Sequence, residues 1–331
     1  MNRAAVIGLG NIGFLLSLDP KREMTWSHVA AFERCDKTLL SGAVEVDDGK
    51  IEAFKTKYAK VPVFKTVDEL MRNVEPHIVS ICTGTSSHHS ILKNVADYPV
   101  KGIFCEKPLA STMAESKAMV GMCSEKKIAF AVNHTRRWDT NYLFAQKLIS
   151  DGTIGRVKAV TALYPGQVFN MGTHLMDTVR MLIRKDAKRI CGISFNIENV
   201  DPSVSGFIEF DEDVPCTFIS TGKREDMIFE IDVIGDDGRL RVIENGEKIE
   251  LYVFTDSKRY SGYRELEMRS FQIPPQRDRF VEAVDDICSV LEGKKHEVNC
   301  SGKDGMMALA LSISMLESAR NNSKVIQLDR Q

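Results

Sequence analysis

Ala4-Ala5-Val6-Ile7-Gly8-Leu9-Gly10-Asn11-Ile12-Gly13 is the stretch on which the reading of this chain turns. Its four apolar residues read as a short, fully buried strand, Gly8 to Gly13 as a turn, and a helix opens near Asn11. The spacing Gly8, Gly10, Gly13 has a mechanical meaning. The first glycine permits the tight turn, the second lets backbone approach a pyrophosphate, and the third lets helix and strand pack closely. The helix start offers N–H groups and a positive dipole end to the phosphates, which makes Asn11 and Ile12 contacts as well.

The same stretch also imitates a secretory signal, because Met1 to Leu18 begins with one Arg and then runs apolar. Glycines and Asn11 interrupt the run, and the charged Asp19-Pro20-Lys21-Arg22-Glu23 follows in place of a cleavage site. A dinucleotide fingerprint calls for an acidic residue ending the second strand, to bond the adenosine ribose. Leu39 to Val44 reads as that strand and Glu45 ends it, farther from Gly13 than usual. An insertion explains the distance: Pro20 stops the first helix, Asp19 to Trp26 loops out, and Ser27 to Phe32 resumes helix. Val46 follows Glu45 where an arginine could have held a 2′-phosphate, so NAD is favoured over NADP. Capping of the next helix is the alternative role for Glu45 or Asp47.

With 331 residues the chain is long enough for roughly two domains of about 150 residues each. Hydrophobic content of 43% and charged content of 27% are those of a globular protein. A net charge of −2, from 44 basic and 46 acidic residues, argues against a nucleic-acid partner. No run of about 18 apolar residues suggests a membrane span. The eight cysteines are scattered without a Cys-x-x-Cys pair, so they read as thiols in a reducing, cytoplasmic compartment.

Strand and helix patterns then alternate: helix 50–58, strand 61–64, helix 67–73, strand 77–82, helix 90–96, strand 102–105, helix 112–126, strand 128–132. Near-continuous apolar strands of this kind make a parallel sheet covered on both faces, a doubly wound Rossmann fold. Its ligands bind at the carboxyl ends of the strands. Residues 1–130 are therefore assigned to the dinucleotide, and 131–331 to substrate and oligomer contacts. In the second part strands succeed one another at 157–164, 187–196, 205–210, 216–221, 227–234, 239–243, 248–254 and 265–272. Helices are expected at 174–183, 277–291 and 304–321. This is an α+β domain on a largely antiparallel or mixed sheet.

Three places could carry chemistry. Glu106-Lys107-Pro108 directly follows a strand expected to end over the nucleotide, where a lysine can bond or exchange a proton with a substrate hydroxyl. Asn170-Met171-Gly172-Thr173-His174-Leu175-Met176-Asp177 begins a helix, and His174 there is a candidate base. The turn from Thr83 to His89 is small and polar where ribose or pyrophosphate would pass. Each has a plainer reading: a surface turn, a core histidine with its bonds met, a loop. His88 and His89 lack a third ligand nearby, so a metal is set aside.

Taken in order, the glycine fingerprint, Cys82-Thr83-Gly84-Thr85-Ser86-Ser87-His88, Glu106-Lys107-Pro108 and Gly172-x-His174-x-x-Asp177 resemble the glucose–fructose oxidoreductase/inositol dehydrogenase (Gfo/Idh/MocA) family. The resemblance spans nearly the whole chain. It implies a Rossmann domain followed by a domain with an open-faced sheet, which forms homodimers or homotetramers. It makes Lys107 the catalytic lysine and His174 the acid/base. Thr83, Gly84, His88, Glu106, Asn133 and Arg137 become cofactor or substrate contacts, although Arg136 and Arg137 read equally well as exposed charge. The family's aspartate four residues before the histidine is Asn170 here, which can bond a hydroxyl but cannot accept its proton.

The expected activity is NAD-dependent hydride transfer from a secondary hydroxyl of a sugar, sugar derivative or nucleotide sugar. The insertion at Trp26-Ser27-His28 and the Asn-x-Gly-x-His variant resemble the subset acting on nucleotide sugars. Two alternatives stand beside it: a redox-neutral epimerase or eliminase, and a non-catalytic regulator that binds NAD and sugar. Tyr164, Gln167, Lys223, Arg224, Tyr260 and Tyr263 are candidates for substrate specificity.

Overall fold

In the computed structural model, residues 1–194 and 197–328 are described. The chain divides into two units, 1–138 with 277–307, and 139–276 with the chain from Ala308 onward. The expected division at 130 thus moves to 138, and a late segment returns to the first unit.

The first unit holds β1 (Asn2–Ile7), β2 (Thr38–Val44), β3 (Val63–Phe64), β4 (Ile78–Ile81), β5 (Gly102–Cys105) and β6 (Ala129–Val132), in the order β3-β2-β1-β4-β5-β6. Every pairing in this sheet is parallel. All residues of β4 and β5 are buried, as strands covered on both faces must be. The strand order reverses beside β1, which opens the ligand crevice at the carboxyl ends of β1 and β4. Between the strands lie α1 (His28–Arg34), α2 (Asp48–Lys57), α3 (Val67–Val74), α4 (Thr85–Val95) and α5 (Met113–Glu125). Their starts are chemically marked: Ser27 and Asp47 cap α1 and α2, and Thr66 with Glu69 and Thr112 with Glu115 form capping boxes.

Two expectations are corrected here. No α-helix opens at Asn11: one helical turn, with Phe14 N–H on Gly10 O at 2.9 Å, passes into a 3₁₀ segment, Leu15–Leu18. The helix resumes at His28, whose N–H donates to Ile12 O while that of Val29 donates to Gly13 O, both at 3.1 Å. The insertion therefore loops out of a helix whose hydrogen bonding is spliced across it. The second correction is α4, which starts at Thr85, so that most of the expected 83–89 turn is helix.

The second unit begins with α6 (Thr140–Ser150), a helix the sequence pattern did not reveal. It continues with β7 (Val157–Tyr164), α7 (Thr173–Ile183), β8 (Ala187–Ile193), β9 (Ser205–Phe210), β10 (Val214–Ser220), β11 (Glu230–Gly235), β12 (Gly238–Ile243), β13 (Lys248–Asp256) and β14 (Arg264–Arg269). Residues 195 and 196, expected to end β8, lie outside the described residues. After α8 (Arg279–Leu291) and α9 (Gly302–Arg320), the short β15 (Ile326–Gln327) completes the sheet β14-β13-β12-β11-β7-β10-β9-β8-β15. Among the described residues only β7 and β10 pair in parallel there. Along β12 buried and half-buried positions alternate, as in a sheet with one face in the core. That core gathers Tyr164, Phe210, Phe218, Phe229, Leu175 and Leu182.

Helix α8 explains why the late segment belongs with the first unit. Asp286 on α8 is buried, and its Oδ2 accepts from Trp138 Nε1 at 2.9 Å and from Asn299 N–H at 2.6 Å, while Lys295 pairs with its other oxygen. We expect Asp286→Ala to lower unfolding free energy by about 2–4 kcal/mol, because the buried Trp138 indole N–H and the Asn299 N–H lose an anionic acceptor together. Denaturant unfolding measures this, and a loss below about 0.5 kcal/mol would refute the account. No helix among the described residues is long and apolar enough to cross a membrane.

Candidate active site

The three fingerprint glycines meet three different surroundings. Gly8 has a φ of +93°, which only glycine adopts without strain, and a Cβ there would lie 3.0 Å from the Cys82 carbonyl. A Cβ on Gly13 would lie 2.0 Å from Gly8 O, so the third glycine closes the turn on itself. A Cβ on Gly10 would meet nothing within 4 Å. Packing does not explain the second glycine; a ligand on that open side would.

Glu45 is buried at the end of β2. Its Oε2 accepts the Leu9 N–H at 2.8 Å, and Oε1 accepts those of Val46 and Asp47 at 2.8 and 3.1 Å. Asp47, not Glu45, caps α2. A carboxylate offers about four acceptor positions, so a ribose hydroxyl can still be bonded. Val46 is exposed, and the nearby Lys65 already pairs with Asp48 and the Val46 carbonyl. Lys65 is therefore already committed and is not a free cation for a 2′-phosphate at this strand end.

Beyond β1, the carboxyl end of β5 delivers Glu106-Lys107-Pro108, with a cis bond before the proline. Glu106 is buried, and its Oε1 receives His28 Nε2 at 2.8 Å together with the Asn133 amide, while Oε2 accepts the Lys107 N–H at 3.2 Å. Burial pushes the Glu106 pKa up; the His28 hydrogen bond and charge, the Asn133 bond and the Lys107 charge outweigh it, and the net shift is downward. Glu106 is thus a buried anion fixed by three donors. Asn133 Oδ1 is buried with no hydrogen-bond partner among the described residues, an acceptor left for a donor outside the chain. Cys82 and Cys105 flank this place, and burial and then Glu106 raise their pKa values well above the ordinary thiol range. They contribute bulk, not reactive thiolates.

Other sequence candidates have different employment. His88 is fully buried, with its ring nitrogens 3.2 Å from Leu109 O and 3.1 Å from Thr83 O, so it braces the backbone at the start of α4. Thr83 Oγ1 accepts from Ser87 Oγ at 2.8 Å, and Gly84 caps α4 with open space where its Cβ would be. Neither Arg136 nor Arg137 is an exposed charge. Arg136 is buried, and Arg137 donates to Asp304 Oδ1 at 2.8 Å and to Asn299 O at 3.1 Å. In these contacts Arg137 braces the 277–307 segment. His28, which carries the Glu106 contact, went unnoticed because it reads only as part of an insertion.

In the second unit, Asn170 lies on the π-helical turn Val168–Gly172 and His174 on the first turn of α7. Residues four apart lie about one turn from each other, so the two share a face. Single π-turns are common at functional sites. Gly172 lets the turn pack closely on Tyr164, since a Cβ there would lie 3.3 Å from the ring. Tyr164 itself is buried and donates to the Val204 carbonyl, with its pKa raised by burial, so it belongs to the core and not to a specificity surface. Tyr260 and Tyr263 are exposed, with ring centroids 6.2 Å apart.

Comparison with known proteins gives the following. Residues 2–134 match the family model described as oxidoreductase family, NAD-binding Rossmann fold. The chain is 24% identical to myo-inositol 2-dehydrogenase of Thermotoga maritima, covering 98% of each chain. It is 23% identical to D-apiose dehydrogenase of Paraburkholderia graminis, over 90% of this chain and 86% of that one. Among solved structures, aldose-aldose oxidoreductase from Caulobacter crescentus superimposes with a TM-score of 0.81 at 17% identity, covering 99% of each chain.

Proposed function

We propose that this chain, whose residues 2–134 match the family model described as oxidoreductase family, NAD-binding Rossmann fold, is a Gfo/Idh/MocA-family NAD-dependent dehydrogenase of a secondary hydroxyl on a sugar or sugar derivative. The observation that carries the reading is the buried, triply held Glu106 with Lys107 directly after it at the end of β5. The open side of Gly10, the unpaired Asn133 Oδ1 and the remaining acceptor capacity of Glu45 fit a dinucleotide. Relatives that act on inositol and apiose supply the substrate class.

When bound, the nicotinamide supplies the hydride acceptor. Glu45 bonds the adenosine ribose and, with Val46 beside it, disfavours a 2′-phosphate. Lys107 donates a hydrogen bond to the substrate oxygen and polarises it; His174 accepts the hydroxyl proton as general base. Asn170, one turn before His174, bonds a neighbouring hydroxyl and orients the substrate. The half-exposed face of the second sheet, with Thr161, Thr217, Ile219 and Ile234, is the surface through which copies associate as dimer or tetramer. The eight thiols, none in a disulfide, fit the cytoplasm.

The test is a panel of inositols, aldoses and nucleotide sugars with NAD, read by NADH absorbance. One substrate class is expected to give turnover with NAD at least about tenfold preferred over NADP in kcat/KM. Cofactor that copurifies and does not exchange would replace net oxidation with a redox-neutral cycle. Failure of every substrate, together with failure to bind NADH, would sink the reading.

A further inference from the structure

His28 is the least expected member of the Glu106 group. Its side chain is completely buried, with Nε2 2.8 Å from Glu106 Oε1 and Nδ1 2.9 Å from Ser80 Oγ on β4. A carboxylate only accepts, so Nε2 carries a hydrogen toward Glu106 whichever way the Ser80 hydroxyl points. The ring centroid lies 4.4 Å from that of Phe104 and 5.6 Å from that of Phe280, which leaves it no room to turn.

The insertion loop accounts for its placement. The guanidinium groups of Arg22 and Arg279 both lie over the Trp26 ring, at 4.8 and 4.5 Å from its centre. Thr25 N–H donates to Asp278 Oδ2 at 3.1 Å, and Ser27 then caps α1 at its side chain. The loop is thus anchored through the three residues that directly precede the start of α1, and the residue that starts it is His28.

We propose that His28 is a positioning residue: backed by Ser80 and flanked by Asn133, it holds the Glu106 carboxylate as a fixed anion toward the nicotinamide half of the cofactor. The inference rests on the NAD-dehydrogenase reading above. Glu45 and Glu106 lie on opposite sides of β1 at the carboxyl edge of the sheet, so the two halves of a dinucleotide fall one to each. An anion on the nicotinamide side favours the oxidised ring, which is positive, over the reduced ring, which is neutral. Without His28, Glu106 keeps two donors in apolar surroundings and takes up a proton. The preference then disappears.

The test needs no substrate. NADH binding is titrated by fluorescence and NAD⁺ by competition in the full-length wild type, His28→Ala, His28→Gln, Glu106→Gln and the double variant His28→Ala/Glu106→Gln. His28→Ala is expected to lower the affinity for NAD⁺ relative to NADH about tenfold, the effect of roughly one unit charge lost at moderate distance. Glu106→Gln should reproduce that ratio, the double variant should add nothing, and His28→Gln, which keeps an N–H donor, should restore most of it. Equal weakening of both cofactors in His28→Ala, or a wild-type ratio in Glu106→Gln, overturns the proposal alone. Should His28→Ala not fold, the Glu106→Gln ratio and the His28→Gln rescue decide the matter. Absence of any NADH binding by the wild type overturns the dinucleotide reading and this proposal with it.

Discussion

Replacing Lys107 with alanine is expected to lower kcat by about 10³-fold while NADH affinity stays within about threefold of wild type. The split follows from how this residue is attached. Its backbone N–H holds Glu106 Oε2 at 3.2 Å, and that bond survives any side-chain substitution that keeps the backbone in place. The Glu106, His28 and Asn133 group therefore remains, and the cofactor has the same walls. What is lost is an ammonium able to donate to the substrate oxygen, a contact strengthened as negative charge develops there. Arginine should not rescue it, because its planar, permanently charged fork cannot take the place of a compact ammonium donor. Steady-state kinetics on the substrate found in the panel, with NADH fluorescence alongside, separate the two quantities. Near-normal turnover in Lys107→Ala would remove the proposed role.

Much of this arrangement was legible in the sequence, and the parts that were not share a cause. Parallel strands buried on both faces are continuous apolar runs, so Ala4-Ala5-Val6-Ile7 and Gly102 to Cys105 declared themselves. Turn chemistry marked the strand ends, which placed Glu45 and Glu106 correctly. Antiparallel strands of the second unit were found to within a few residues by alternation. Helix α6 was missed because Thr140 to Ser150 mixes polar and apolar residues with little periodic contrast, next to a change of pattern. The first helix was overdrawn because nothing local says that Ile12 and Gly13 pass their carbonyls to His28 and Val29.

Long-range pairing was the common blind spot. Arg137 finds Asp304, Trp138 finds Asp286, and His28 finds Glu106, each across more than 70 residues. No local pattern encodes such partners, so Arg137 read as a cofactor contact or exposed charge, and residues 277–307 read as part of the second domain. The task of His88 was illegible for the opposite reason: its ring is buried against two carbonyls, and local sequence cannot distinguish such bracing from ligand contact.

Gly10→Ala and Gly13→Ala are expected to fail in opposite ways, and the contrast tests the site from the cofactor's side. At Gly13 the added methyl would lie 2.0 Å from Gly8 O, a backbone atom that cannot yield without opening the turn. That variant should lose about 3 kcal/mol or more of stability, at the severe end of overpacking, and its NADH binding along with it. At Gly10 the methyl meets no protein atom within 4 Å, and the backbone there is not in the left-handed region. Alanine should leave Tm unchanged or slightly raised, since it restricts the unfolded chain. Yet if the open side of Gly10 is where the pyrophosphate approaches, the methyl occupies the phosphate's place, and NADH affinity should fall by about 100-fold. Thermal melts and fluorescence titrations on the two variants give four numbers, of which the pair for Gly10→Ala carries the argument. A folded Gly10→Ala protein that binds NADH like the wild type would mean that the glycine-rich turn does not cradle the diphosphate. The strand–turn–helix fingerprint from which the whole reading began would then be a turn and nothing more.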